Sequence, residues 1–151
     1  MVRIFVDGDA FPNLLKAILF RQIERLKIET LVFSNKHITI GKSDLIRYII
    51  VEQGADEADN QIVEAIEEGD LVITADIPLA DRTISKKAHA IDHRGELYSV
   101  DNIKQYLVMR NLMEKIRESG EMTKGPKPFD QKDAHQFANQ LHKFLTKYCK
   151  I

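Results

Sequence analysis

Hydrophobic positions along this chain alternate between short apolar runs and longer segments with helical period. Runs rich in isoleucine, valine and phenylalanine predict strands, and apolar residues at every third or fourth position between them predict helices. Strands that alternate with helices pair in parallel, so we expect an α/β domain around a mainly parallel central sheet. The predicted strands span about residues 2–6, 30–34, 46–51, 70–75 and 88–92.

Three helices are predicted between these strands. The first opens with Pro12, whose fixed φ suits an initial helical turn, and its apolar residues continue to Leu26. The second spans about residues 56–68 and is ended by Gly69, and the third spans about residues 78–87.

The pattern becomes wholly helical after the last predicted strand, with segments at about residues 100–119 and 131–148. We therefore divide one domain, residues 1–151, into an α/β core at about 1–98 and a helical C-terminal extension at about 99–151. The two helices of the extension have three open roles. They cover the sheet, contact a second copy in a homo-oligomer, or close over a substrate.

Composition excludes several classes of protein. The 151 residues are 44% hydrophobic and 30% charged, which is typical of a soluble globular domain. No apolar run approaches the roughly 18 residues of a membrane span, and the start "MVRIFVDGD" has no signal-peptide pattern. Cys149 is the single cysteine, which rules out an internal disulfide and a multi-cysteine metal site. We expect a cytoplasmic protein without a membrane partner.

Charge is divided unevenly along the chain. Residues 1–102 hold 12 Lys and Arg against 18 Asp and Glu, a net charge of −6, whereas residues 103–151 hold 10 against 5, a net charge of +5. A basic C-terminal surface beside an acidic centre would suit a phosphate-bearing substrate. Solvated helix faces explain the same charges equally well.

Three acidic side chains follow predicted strands. Asp7 and Asp9 come directly after the first strand in "VDGDAFP", and Asp76 follows the fourth strand in "DLVITADIPLA". Thr74 lies beside Asp76 and has a hydroxyl suited to a neighbouring carboxylate or phosphate. Ligands of open α/β sheets gather at the carboxyl ends of the strands, so these residues are candidates for a functional site.

The second predicted helix adds another carboxylate. At about 100° per residue, Asp59 falls on the apolar stripe that faces the sheet, whereas Glu57 falls on the opposite side. Asp56 is a candidate N-cap, and acids in a first turn are also favoured by the helix dipole. An unpaired carboxylate facing the core costs several kcal/mol, so capping explains Asp59 poorly. We assign Asp59 to the site, with Asp56 as a supporting residue.

Asp7, Asp9, Asp59 and Asp76 are therefore predicted to converge on one acidic pocket. Carboxylate oxygens are hard ligands suited to Mg²⁺ or Mn²⁺. Two such ions would activate a water and stabilise the leaving oxygen in the hydrolysis of a phosphodiester bond. Independent surface caps and loop acids remain the alternative.

Phosphate contacts are predicted on two loops. Asn35 and Lys36 follow the second strand in "SNKH", and Arg94 precedes a glycine in "DHRGELY". Polar turns are the alternative explanation for both segments. The five histidines show no paired ligand spacing on a helix face, which argues against zinc.

Six segments together carry a family resemblance: "VDGDAFP", "GADEADNQIV", "GDLVITADIPLA", "RGELY", "KGPKPF" and "FANQL". Over nearly its whole length the chain resembles the YaiI/YqxD family of uncharacterised bacterial proteins. The resemblance implies a three-layer PIN-like domain. In that nuclease architecture, acids after the first strand, in a middle helix and after the fourth strand hold Mg²⁺ or Mn²⁺.

Carried onto this chain, the resemblance assigns Asp7, Asp59 (with Asp56) and Asp76 to those three positions. Asp9 belongs to the family's own opening motif. One departure is Phe11, where the family commonly has cysteine, so a role for that thiol cannot operate here.

The leading hypothesis is a Mg²⁺- or Mn²⁺-dependent nuclease acting on RNA, with single-stranded RNA as its partner. A non-catalytic nucleic-acid-binding or regulatory module with the same pocket is the first alternative, because fold does not guarantee activity. A phosphatase of the haloacid dehalogenase type is the second, since "DGD" and "VIT" mimic its motifs. Phe11 stands where that class requires a small hydroxyl residue.

Overall fold

A six-stranded sheet forms the centre of the computed structural model, which describes residues 2–53, 57–120 and 128–149. The strands are β1 (Ile4–Asp7), β2 (Thr30–Ser34), β3 (Ile46–Ile50), β4 (Leu71–Ile73), β5 (His89–Ile91) and β6 (Leu97–Tyr98). Their order is β3-β2-β1-β4-β5-β6, and only β6 runs antiparallel to its neighbour. The predicted α/β class with a mainly parallel sheet is confirmed.

Five helices accompany the strands in the described residues. They are α1 (Asn13–Leu26), α2 (Glu57–Ala65), α3 (Ile77–Ser85), α4 (Ile103–Glu118) and α5 (Gln131–Tyr148). Pro12 precedes α1 with an extended backbone, φ −64° and ψ 136°, so it caps the helix and is not its first residue. The predicted helices agree with these bounds to within a few residues at each end.

Both faces of the sheet are covered by helices. β-strand side chains alternate, so Val6 faces the side covered by α1 and α5, where it packs with Leu15 and Phe137. Phe5 faces the other side and packs with Ile62 of α2 and Leu79 of α3. Both faces of the central strands are thus buried, which explains why their sequences read as continuous apolar runs.

The two C-terminal helices differ in how they pack. α5 buries six of its residues, and a capping box between Asp130 and Asp133 fixes its start. α4 buries only Ile103, which packs with Ala80 and Tyr98 in a separate small cluster. Of the roles open from sequence, α5 covers the sheet, whereas α4 lies at the edge of the fold against α3.

The strand order creates a crevice at one end of the sheet. The chain moves outward from β1 in one direction through β2 and β3, and in the other direction through β4 and β5. Loops leaving β1 and β4 therefore diverge to opposite sides of the sheet, and ligands of open α/β sheets bind at such a switch point. No helix in the described ranges is long and apolar enough to span a membrane.

Candidate functional site

A cavity of about 370 Å³ opens at the carboxyl ends of β1 and β4. It is the site that the strand order favours. Its lining includes all four aspartates that the sequence assigned to the pocket, together with Glu57 and His93. The complete lining is Asp7, Asp9, Ala10, Glu57, Ala58, Asp59, Ala75, Asp76 and His93.

Asp7 and Asp9 are placed by the tight connection after β1. Gly8 lies between them and donates its amide to the Phe33 carbonyl at 2.8 Å. A Cβ on Gly8 would lie 3.0 Å from the Ser34 Cβ, so the residue allows β1 and β2 to approach closely at their ends. Ala10 then takes a left-handed backbone with φ 62°, which turns the chain into α1.

Thr74 joins the ends of β1 and β4. Its buried hydroxyl donates to the Asp7 carboxylate at 2.9 Å and accepts from the Asp76 amide at 3.0 Å. The Asp76 carboxylate in turn accepts from the Leu79 amide at 3.1 Å and caps α3. One threonine therefore links the Asp7 carboxylate to the backbone of Asp76, which lies 69 residues further along the chain.

Asp7 holds its charge against unfavourable surroundings. Burial, followed by the nearby charges of Asp9 and Asp76, raises the pKa of Asp7 to about 6, although the Thr74 hydroxyl and the Asp9 backbone act in the opposite direction. A carboxyl group with such a pKa in a cleft is typical of a functional site.

α2 contributes two acids to the cavity, where the sequence predicted one. Asp59 lines it as predicted, but Glu57 does so as well. The prediction that Glu57 lies on the opposite side was wrong because the cavity lies at the amino-terminal end of α2, within reach of side chains on several sides of the first turn. Asp56 lies outside the described residues.

His93 was not among the predicted site residues. It is 8% exposed, its ring meets the Phe11 ring edge-on with centroids 5.5 Å apart, and its Nε2 is buried without a hydrogen-bond partner in the described part of the chain. Burial and the Arg94 charge lower the pKa of His93 to about 4, so the ring is neutral at pH 7. His93 follows β5, so the rule that selected Asp7 and Asp76 also selects it.

The predicted phosphate-binding residues lie near the cavity but do not line it. Asn35 and Lys36 are exposed after β2, and the backbone N–H of Asn35 donates to the Asp9 carboxylate at 3.0 Å. Arg94 forms an ion pair with Asp133 of α5 at 2.6 Å and lies over the Phe129 ring. These contacts tie the loop after β5 to α5, and phosphate binding by the three residues stays a prediction.

The donors suit a particular kind of metal site. Carboxylate oxygens are ligands for Mg²⁺ or Mn²⁺, but the described residues contain no group of three His, Cys, Asp or Glu side chains arranged to hold a metal ion. Mg²⁺ usually keeps several waters and is bound by one or two carboxylates together with substrate phosphates. The described residues therefore offer no cage made by the protein alone, and an ion at this cavity would need substrate or water to complete its coordination.

Comparison with known proteins identifies relatives of the whole chain. The family model described as "Uncharacterized BCR, YaiI/YqxD family" matches residues 5–147. A UPF0178 protein of Sulfurimonas denitrificans is 82% identical over 97% of each chain, and one of Hahella chejuensis is 51% identical over 99% of each. Among solved structures, a homospermidine synthase of Legionella pneumophila in complex with NAD covers 94% of this chain and 38% of its own, with 13% identity and a TM-score of 0.45. That likeness is too weak to support an argument.

Proposed function

The chain belongs to the YaiI/YqxD family, and we propose that it is a Mg²⁺- or Mn²⁺-dependent nuclease that hydrolyses phosphodiester bonds in RNA. The observation that carries this proposal is the meeting of four aspartates, from the ends of β1 and β4 and from α2, around one cavity. Nearby carboxylates repel one another, and the charges of Asp9 and Asp76 contribute to the raised pKa of Asp7. A divalent cation relieves that repulsion.

Among Asp7, Asp9, Asp59 and Asp76, one or two carboxylates would hold each metal ion, and substrate phosphates would complete its coordination. When bound, the ions supply a nucleophile by lowering the pKa of a water, and they neutralise charge on the phosphoryl oxygens. Thr74 fixes Asp7 and Asp76 relative to each other, so both carboxylates face the cavity before substrate arrives. Asn35 and Lys36 at the end of β2, with Arg94 after β5, supply the neighbouring phosphate contacts that we proposed from sequence.

RNA is the substrate implied by the resemblance to PIN-like nucleases. The charge pattern is compatible with it, because the basic C-terminal segment would offset the phosphates that the acidic centre repels. A phosphatase with Asp7 as nucleophile has weaker support. Phe11, buried in place of a small hydroxyl residue, has no group to assist the transfer.

The test is cleavage of labelled single-stranded RNA by the purified protein in the presence of Mn²⁺ or Mg²⁺. We expect cleavage that EDTA abolishes and that Asp7→Asn reduces by at least about 100-fold, since the substitution removes a charged ligand while keeping the Thr74 contact. Asp101→Asn, at an exposed loop position, is the matched control and should cleave normally.

Two outcomes would contradict the proposal. One is the absence of cleavage over a panel of single-stranded and structured RNA and DNA with both metals. Salt-sensitive RNA binding in that case would identify a non-catalytic binding module. The other is cleavage that Asp7→Asn leaves unchanged, which would point to a contaminating nuclease.

A further inference from the structure

A groove of about 510 Å³ lies between the start of α3 and one face of α4. Its α4 side consists of Tyr106, Met109, Arg110, Met113 and Arg117. Ala75 and Asp76 line both this groove and the acidic cavity, so the two adjoin at the end of β4. The groove therefore leads along α4 to the carboxylates at the end of β4.

We propose that a single strand of RNA lies in this groove, with its phosphates on Arg110 and Arg117 and a base against the Tyr106 ring. The inference rests on the proposed nuclease function, because it supplies the path by which substrate reaches the acidic cavity. It also assigns substrate contacts to a helix that the resemblance does not include in the site.

The spacing on α4 supports a linear ligand. Tyr106, Arg110, Met113 and Arg117 recur at intervals of four, three and four residues, which places them along one side of the helix. Arg110 and Arg117 are seven residues apart, a distance of about 10 Å along the axis. Two cations at that separation suit a chain of phosphates better than a single small anion.

The side chains suit the two parts of a nucleotide. Guanidinium groups bind phosphate through paired hydrogen bonds, and aromatic rings stack on bases without regard to sequence. The Tyr106 ring is held in place by an edge-on contact with Tyr98, with centroids 5.1 Å apart, so it offers a fixed surface. Met109 and Met113 add adaptable apolar area beside it.

Charge favours an anionic polymer over a second copy of this chain. α4 carries four basic residues against two acidic ones. Arg110 contacts Glu114 at 3.2 Å, but both side chains are more than a third exposed, and such a pair on a helix surface is weak enough for a phosphate to displace. An anionic strand would also be drawn past the arginines towards the metal-loaded cavity.

The test measures binding separately from cleavage. Fluorescence anisotropy follows a single-stranded RNA of about a dozen nucleotides in Mg²⁺, with every protein carrying Asp7→Asn so that the RNA stays intact, as a gel verifies. We expect Arg110→Glu combined with Arg117→Glu to weaken binding at least about tenfold and to flatten the salt dependence by about 1.4, the value for two lost phosphate contacts. The matched control is Lys104→Glu combined with Lys115→Glu, an equal charge change outside the groove, and it should weaken binding by several-fold less.

Tyr106 gives a second, uncharged test. Tyr106→Phe keeps the ring and should retain affinity, whereas Tyr106→Leu removes the stacking surface and should lower affinity about tenfold. Thermal unfolding of both variants identifies any that fail to fold.

The outcomes separate this inference from the nuclease proposal. Loss of RNA affinity in the groove variants, without any cleavage by the wild type, supports the groove and contradicts the nuclease. If cleavage needs Asp7 but the groove variants leave it unchanged, the groove proposal is overturned and the nuclease proposal stands. If the protein with its groove unchanged does not bind RNA, the groove proposal is overturned as well. The groove proposal is also overturned if sedimentation shows a dimer that the arginine substitutions dissociate while RNA affinity stays the same. A second copy of this chain would then occupy α4.

Discussion

Asp70 and Asp7 lie at opposite ends of the central sheet, and their surroundings differ. Asp70, beside the amino end of β4, is 3% exposed and accepts from the Arg3 guanidinium at 2.8 Å and the Glu67 amide at 2.8 Å. Asp7, at the carboxyl end of β1, accepts from the Thr74 hydroxyl and faces other carboxylates. The first carboxylate has its countercharge within the protein, whereas the second lacks a cation among its described partners.

The two sets of partners indicate different effects of the two carboxylates on folding stability. A buried carboxylate with an arginine and amide donors holds two parts of the chain together, and its removal leaves those partners unsatisfied. A carboxylate that is buried beside like charges lowers the stability of the folded state, and carboxylates with perturbed pKa values cluster at functional sites. The amino end of the sheet therefore has the contacts of a stabilising carboxylate, and the carboxyl end has those of the ligand site that we propose.

The largest expected effect is at Asp70. Asp70→Ala leaves the Arg3 guanidinium and the Glu67 amide without their shared acceptor, and we expect the free energy of unfolding to fall by about 3 kcal/mol. Urea unfolding measures it, with exposed Asp101→Ala as the control that should change by less than about 0.5 kcal/mol. A loss at Asp70 no larger than at Asp101 would remove the distinction between the two ends.

Asp7→Asn is expected to act in the opposite direction. The pKa of Asp7 in the folded protein, about 6, lies above that of the unfolded chain, so the folded state binds more protons and stability from this group falls as pH rises from about 4 to 6. At pH 8 we expect Asp7→Asn to raise the free energy of unfolding by about 2 kcal/mol.

His93 also contributes to the pH dependence of folding stability, in the direction opposite to Asp7. Its pKa is lowered to about 4, so stability from His93 rises with pH through the same range and masks Asp7 in the wild-type profile. The difference between wild type and Asp7→Asn cancels the His93 contribution. A difference that stays constant between pH 4 and 8 would contradict the assigned pKa of Asp7.

Mg²⁺ should offset the loss of folding stability that the neighbouring carboxylates cause at the carboxyl end of the sheet. A ligand at about ten times its dissociation constant adds about 1.4 kcal/mol to the free energy of unfolding. We expect Mg²⁺ to stabilise the wild type by this amount and to have a smaller effect on Asp7→Asn, as measured by thermal unfolding at constant ionic strength. Equal stabilisation of both proteins would place the ion elsewhere.

Much of this architecture follows from the sequence, and the exceptions have physical causes. Strands β1, β2, β4 and β5 are almost wholly buried and are recognisable in the sequence as apolar runs. The edge strand β3 is mostly exposed but is still rich in isoleucine. β6 has only two residues, too few to show an alternation. The exposure of α4 is not visible in its sequence, because Val108 and Leu112 have the spacing of a core-facing stripe and yet lie 67% and 50% exposed. Hydrophobic period predicts a helix, but burial depends on which neighbours the fold brings to it.

The candidate site likewise has some features that the sequence predicts and others that depend on the fold. Asp7, Asp9 and Asp76 were found because strand ends can be located from sequence and share one edge of a parallel sheet. Glu57 was misplaced because helical angles say little about a first turn that ends at a cavity. The ion pair of Arg94 with Asp133 joins residues 39 positions apart, and no local pattern predicts such a contact.

Thr74→Val is the finest test of the comparison. Valine fills the same volume in this fully buried position but removes the hydroxyl that serves both Asp7 and Asp76. We expect the free energy of unfolding to fall by about 1 kcal/mol and the pKa of Asp7 to rise further, since the hydrogen bond that favours its charged form is gone. Thr83→Val is the matched control, because its buried hydroxyl donates to the Leu79 carbonyl at 2.9 Å. Carbon-13 titration of the Asp7 carboxyl should shift to higher pH in Thr74→Val alone, and a shift of equal size in Thr83→Val would show that the threonine does not hold Asp7 ionised.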